Sequence, residues 1–172
     1  MPEQIIIVDE NDKIIGHKER TTEGPEDIYR VSALMVVNSK NQILLAQRGL
    51  YKSHNPGEWS ASAAGTVEEG ETYLENMIKE TREELGIDLN SYSKEEFAEI
   101  EKLRINGRYN FFCQWYLLKA DIEVMNIIFP KSETEAVAWF DINYLEQDLQ
   151  SCSKKYSKGL SQYLEMIKKY IK

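Results

Sequence analysis

The sequence predicts an α+β protein in which a mixed β-sheet is sandwiched between helices, an α/β/α sandwich. Three observations carry that expectation. Apolar, β-rich runs come in pairs separated by turn residues, one capped amphipathic helix interrupts them, and two helical patterns follow the last strand. A strict alternation of strand and helix is absent.

The elements are read in chain order. Ile5 to Val8 form an apolar run, Asp9 to Lys13 supply turn residues, and Ile14-Ile15 resume the pattern, so residues 1–28 should carry an amino-terminal hairpin and a Gly24-Pro25 loop. Tyr29 to Val37 reads as a buried strand, Asn38 to Asn41 as a turn, and Gln42 to Gln47 as its partner strand. Gly49 to Glu58 is a polar loop. Ser60 to Gly65 is a run of small residues, which permits close approach of another element or a ligand. Thr72 and Glu75 have capping-box spacing, so a helix should begin near Glu71, and Gly86 is placed to end it. Leu74, Ile78, Thr81 and Leu85 form the expected core-facing stripe of that helix. Phe97 to Arg104 and Arg108 to Ala120 are strands with Asn106-Gly107 as the hairpin signal. Glu135 to Phe140 is a further strand. Asp141 can cap a helix through Leu149, and residues 156–171 have the spacing of a terminal amphipathic helix, so residues 142–172 are expected to hold the closing helices.

The 172-residue length favours a single domain over 1–172. With 21 Lys and Arg against 29 Asp and Glu, the net charge is −8, which argues against holding nucleic acid through its phosphates. Small anionic substrates stay open, because a bound divalent cation reverses the local field. Cys113 and Cys152 make no disulfide framework, and their expected state is buried or inert thiol. The first residues lack the basic start and long apolar stretch of a signal peptide, and no run approaches a membrane span, so the cytoplasm is the expected location with no membrane partner.

The chemistry concentrates on the first helix. At about 100° per residue, Glu80, Glu83 and Glu84 share an arc of about 100°. Such a set can be a nest of hard oxygen ligands for Mg²⁺ or Mn²⁺. It can equally be a solvated acidic face opposite the apolar stripe, with Glu75 pairing to Lys79.

The wider pattern weighs on that choice. Gly65, Glu71, Glu80, Glu83, Glu84, Gly86 and Ile87 stand at the spacings of the signature box of the Nudix hydrolases, the MutT-like family, which this chain resembles over 65–87. Lys79 stands where the family has Arg, and Thr81 where it has an aliphatic residue. The resemblance implies a Nudix fold and a metal-dependent pyrophosphohydrolase acting on a small diphosphate substrate, with Mg²⁺ preferred and Mn²⁺ as the alternative. It implies that Glu80, Glu83 and Glu84 bind metal and do the catalysis, with the Ala64 carbonyl completing the ligand shell. Gly65, Glu71, Lys79 and Gly86 then have structural or orienting roles. Lys79 would orient Glu71 or a neighbouring glutamate less rigidly than Arg would, and the Thr81 hydroxyl could bond back to its helix. Glu133 and Glu135 are candidates for a further ligand or base. Arg48, Lys52 and Arg108 are candidates for substrate phosphate. His17 and His54 read as surface or loop residues. Tyr109, Phe111, Trp115 and Trp59 could stack on a base, though core packing suits most of them better. A homodimer is a family-level expectation.

The amino-terminal part, from Ile7 to Gly16 with Arg20 and the strand that follows, is similar to isopentenyl-diphosphate isomerase, a Nudix relative. That relative carries a Cys and a His where this chain has Ala64 and Thr66, which disfavours isomerase chemistry. A non-catalytic nucleotide-binding module is the third reading, opposed by the intact glutamates. No auxiliary signature for a particular substrate is found.

Overall fold

The structure is a computed structural model that describes residues 2–52, 54–107 and 109–171. Strands β1 (Gln4–Val8) and β2 (Ile14–Glu19) form the expected hairpin. Its turn places Asp12 at φ 60°, where its carboxylate takes hydrogen bonds from Arg30 (2.7 Å), Lys102 (2.6 Å) and the Tyr73 hydroxyl (3.0 Å). One acidic turn residue thus ties the hairpin to three side chains distant in sequence.

Strand β3 (Ile28–Val37) is the spine of the sheet. Strand β8 (Phe111–Lys119) runs parallel to it from Tyr29 to Val37. The antiparallel partners take successive stretches of β3: β1 at Ile28 and Tyr29, β6 (Ala63–Thr66) at residues 31–34, and β4 (Gln42–Arg48) at Val36 and Val37. Strand β7 (Phe97–Ile105) pairs with β8, while the short β5 (Trp59–Ser60) and β9 (Thr134–Asp141) pair with β4.

Alternation along β3 sorts the core onto two faces. Ala33, Met35 and Val37 face α2 (Ile142–Ser151) and α3 (Leu160–Lys168), packing with Leu145, Leu160, Leu164 and Ile167. Leu34 and Val36 face α1 (Tyr73–Leu85), packing with Met77, Leu85 and Tyr116. The α/β/α sandwich of the sequence reading is the observed architecture.

Several boundaries differ from expectation. Helix α1 starts at Tyr73, because Thr72 forms the full capping box with Glu75, and it ends at Gly86 with φ 67°. Strand β8 starts at Phe111, because Asn110 is held in the loop: its carbonyl accepts from Tyr29 N–H at 3.2 Å and its side chain from Arg104 at 2.6 Å; the expected start at Arg108 lies outside the described residues. Asp141 caps α2 as expected, through Asn143 and Tyr144 N–H. The terminal helix begins only at Leu160. Tyr156 lies before it, bridged to Trp59.

Candidate active site

The glutamates sit on a different part of α1 than the apolar pattern suggests. The buried residues of α1 are Asn76, Met77, Thr81 and Leu85, whereas Leu74 is 44% exposed. Counting about 100° per residue from Asn76, that buried arc passes through Glu80 and Glu84. The acidic arc is therefore not opposite the packed face; two of its three members are part of it, and only Glu83 is exposed. The reason lies in β6. Its small residues leave room for carboxylates where a helix normally presents apolar side chains. A Cβ on Gly65 would overlap the Glu80 carboxylate.

Glu84 is anchored to this strand, its Oε2 accepting from Ala64 N–H at 3.0 Å. Burial pushes its carboxyl up to about 8, with Glu80 and Glu133 adding to the shift and the Ala64 N–H and Arg48 opposing it. Burial likewise pushes Glu80 up to about 7; Lys79 and Arg20 oppose, Glu83 and Glu71 reinforce.

Beside them lies a polar support. Lys79 Nζ stands 2.7 Å from Glu71 and 2.8 Å from Glu68, so the Glu75–Lys79 pair is replaced by contacts across to the preceding loop. Glu75 is used by the capping box. Burial alone would raise Glu71, but hydrogen bonds from Lys79, the Glu68 N–H and Asn76 hold it below the ordinary carboxylate range. Asn76 also donates to the Thr66 carbonyl at 3.1 Å and accepts from the Ser32 hydroxyl at 2.5 Å, joining α1 to β6 and β3. Neither Asn76 nor Glu68 stood out in the sequence reading. The available signal was an Asn in mid-helix, where its backbone-competing amide is disfavoured unless it has a fixed partner. Thr81 Oγ1 is buried without a hydrogen-bond partner among the described residues, so the expected bond back to its helix is not made.

The outer candidates separate. Arg48, at the end of β4, donates to the His54 carbonyl at 2.7 Å and acts on Glu84. Lys52 is ion-paired to Glu133, so a candidate phosphate binder and a candidate ligand neutralise one another. Gly49 N–H donates to the Glu133 carbonyl at 2.9 Å, fixing the two loops together. Glu135 is held by Lys131. Arg108 lies outside the described residues. His17 and His54 are exposed, as expected. Trp115 is fully buried against Tyr163, at 4.5 Å between ring centroids, which removes it from base stacking. Trp59 packs edge-on against Phe140. Cys113 is buried on the α2–α3 face, across the sheet from α1, and cannot replace a thiol at position 64.

Among the described residues, no three His, Cys, Asp or Glu side chains are gathered closely enough to hold a metal ion. The donor chemistry nevertheless fits a hard divalent cation. Glu80, Glu83 and Glu84 are oxygen donors on adjoining positions of one helix, and the missing Cβ of Gly65 is what seats Glu80 against β6. Among the described residues, no helix is long and apolar enough to cross a membrane.

Comparison with known proteins identifies the family and the fold. The NUDIX domain family model matches residues 28–160. The chain is 26% identical to an isopentenyl-diphosphate Delta-isomerase 1 of Photorhabdus laumondii, over 95% of this chain and 96% of that one. It is 30% identical to a Nudix hydrolase of Deinococcus radiodurans over 69% of each. A crystal structure of DR0079 from Deinococcus radiodurans has the same fold, with a TM-score of 0.81 at 24% identity, covering 95% of this chain and 98% of that one.

Proposed function

This chain belongs to the Nudix family, and from that premise we propose that it is a metal-dependent pyrophosphohydrolase, cleaving the diphosphate linkage of a nucleoside diphosphate joined to another moiety. One observation carries the reading: Glu80 and Glu84 are packed against β6, with Glu84 tied to the Ala64 N–H and Glu83 exposed beside them. Burying carboxylates without a cation is costly, and a fold keeps such an arrangement where a charge partner is to be bound.

Glu80, Glu83, Glu84 and the Ala64 carbonyl would hold Mg²⁺ or Mn²⁺. When bound, that cation supplies Lewis-acid stabilisation of charge on the diphosphate oxygens and activation of water. Where Glu80 does not ligate the cation, its carboxylate is the candidate base for the attacking water. Arg48 faces Glu84 and would meet a substrate phosphate, and Lys52 would join it on leaving Glu133. Glu133 is the better placed of the two outer acids, since it acts on Glu84.

The second reading is isomerisation of isopentenyl diphosphate, favoured by the end-to-end similarity to an isomerase. Ala64 and Thr66 lack the thiol and imidazole that the resemblance to isomerases implies for such chemistry.

A panel of nucleoside diphosphate derivatives with Mg²⁺ or Mn²⁺ separates the readings. The expected result is cation-dependent release of phosphate-containing products that Glu83→Gln lowers by about 10–100-fold or more without unfolding. Full activity in Glu83→Gln overturns the site. Conversion of isopentenyl diphosphate without phosphate release selects the isomerase.

A further inference from the structure

The Lys79 ammonium is shared unevenly among three carboxylates. Its Nζ is 2.8 Å from Glu68, 2.7 Å from Glu71 and 3.8 Å from Glu80. The first two are hydrogen bonds; the third is beyond that range. Glu68 is not part of the helix. It lies on the segment after β6, which is stitched to β1: Ile5 bridges Glu68, Ile6 N–H donates to the Val67 carbonyl at 3.3 Å, and Glu69 N–H donates to the Gln4 carbonyl at 2.8 Å. The hairpin, which precedes the family match at residues 28–160, therefore holds the segment that carries Glu68.

We propose that Glu68 is a positioning residue: held by β1, it shares Lys79 with Glu71 and keeps the ammonium off Glu80, so that the Glu80 carboxylate stays available to a divalent cation. This rests on the reading that Glu80 binds that cation. A lysine offers a compact charge that follows its acceptors, unlike the planar fork of Arg. Without the Glu68 charge, Nζ would close on Glu80 from 3.8 Å to about 2.8 Å. At an effective dielectric of about 20, that stronger pairing weakens a competing cation by about tenfold.

The test is direct Mn²⁺ binding to the full chain, by electron paramagnetic resonance and calorimetry, with thermal midpoints recorded alongside. The variants are Glu68→Gln, Lys79→Gln, the double variant, Glu84→Gln and, as a charge control, Glu69→Gln. Glu68→Gln is expected to bind about tenfold more weakly, the double variant to bind as Lys79→Gln does, and Glu69→Gln to bind as wild type. The proposal is overturned if Glu68→Gln binds as wild type. It is equally overturned if the loss persists on the Lys79→Gln background or appears in Glu69→Gln, since either result is a through-space charge effect. Wild-type binding that Glu84→Gln abolishes and Glu68→Gln leaves intact sinks only the positioning role. Absence of Mn²⁺ binding in wild type sinks the functional reading and this proposal together.

Discussion

Replacing Gly65 by Ala tests the link between the small-residue strand and the acidic helix. Gly65 is buried on β6 opposite Ser32, and an added Cβ would overlap Cγ, Cδ and Oε1 of Glu80. Ordinary carbon contact needs about 3.5–4.0 Å, so the Glu80 carboxylate must move by about 1 Å or more. Two responses are open to it. If Glu80 stays, confined by Asn76 at 3.5 Å and Lys79 at 3.8 Å, the overpacking costs about 1–3 kcal/mol. For a domain of this size that is a fall in Tm of about 2–12 °C. If Glu80 swings out, stability changes little and Mn²⁺ affinity falls by about tenfold or more. Urea unfolding and Mn²⁺ titration of Gly65→Ala together measure both routes. Gly16→Ala is the control, because a Cβ there meets nothing within 4 Å. A Gly65→Ala protein with wild-type stability and wild-type Mn²⁺ affinity would refute the packing argument.

Other consequences follow from the same structure. Thr81→Val removes a buried hydroxyl with no partner among the described residues at nearly constant shape, and should raise stability by about 1 kcal/mol in urea unfolding; a loss would show that the hydroxyl is satisfied. Glu80 and Glu84 have folded values raised from 4.5 to about 7 and about 8, so the folded chain retains protons that the unfolded chain releases. The metal-free protein should therefore lose stability as pH rises from about 4.5 to 8, and Glu84→Gln should be the more stable form in chelator at pH 8 but not at pH 4. A flat pH profile in chelator would contradict that assignment. Asp12 has the opposite sign: burial raises its carboxyl, but Lys102 and Arg30 bring it below the ordinary value of 3.8. Its contribution is present above that value and lost as pH falls through the lower folded one. Asp12→Asn, which keeps a residue tolerant of φ 60°, should cost about 1–3 kcal/mol at pH 7 and little in strong acid, read from urea midpoints at both.

Much of this was legible in the chain. Thr72, Glu75 and Gly86 delimit α1 because capping is a local matter of a few backbone groups, and Asp141 does the same for α2. The hairpin at Asp9 to Lys13 and the buried strand ending at Val37 also rest on nearest-neighbour chemistry. Periodicity misled at α1 and at the last helix. Leu74 fits the apolar stripe but faces solvent, because what α1 meets is a strand of Ala and Gly that accepts Glu80 and Glu84. Tyr156 fits the terminal helix but is drawn to Trp59 before that helix begins.

The sequence by itself determined the buried strand ending at Val37, the caps of α1 and α2 and the spacing that brings Glu80, Glu83 and Glu84 to one side of α1. Only the tertiary structure decided which of those acids are buried, that Lys79 clasps Glu68 and Glu71, and that Lys52 is occupied by Glu133. The division has a physical cause. Caps and periodicity are set by groups a few residues apart, whereas the state of a carboxylate depends on what long-range folding stacks over it and which charge arrives from another strand.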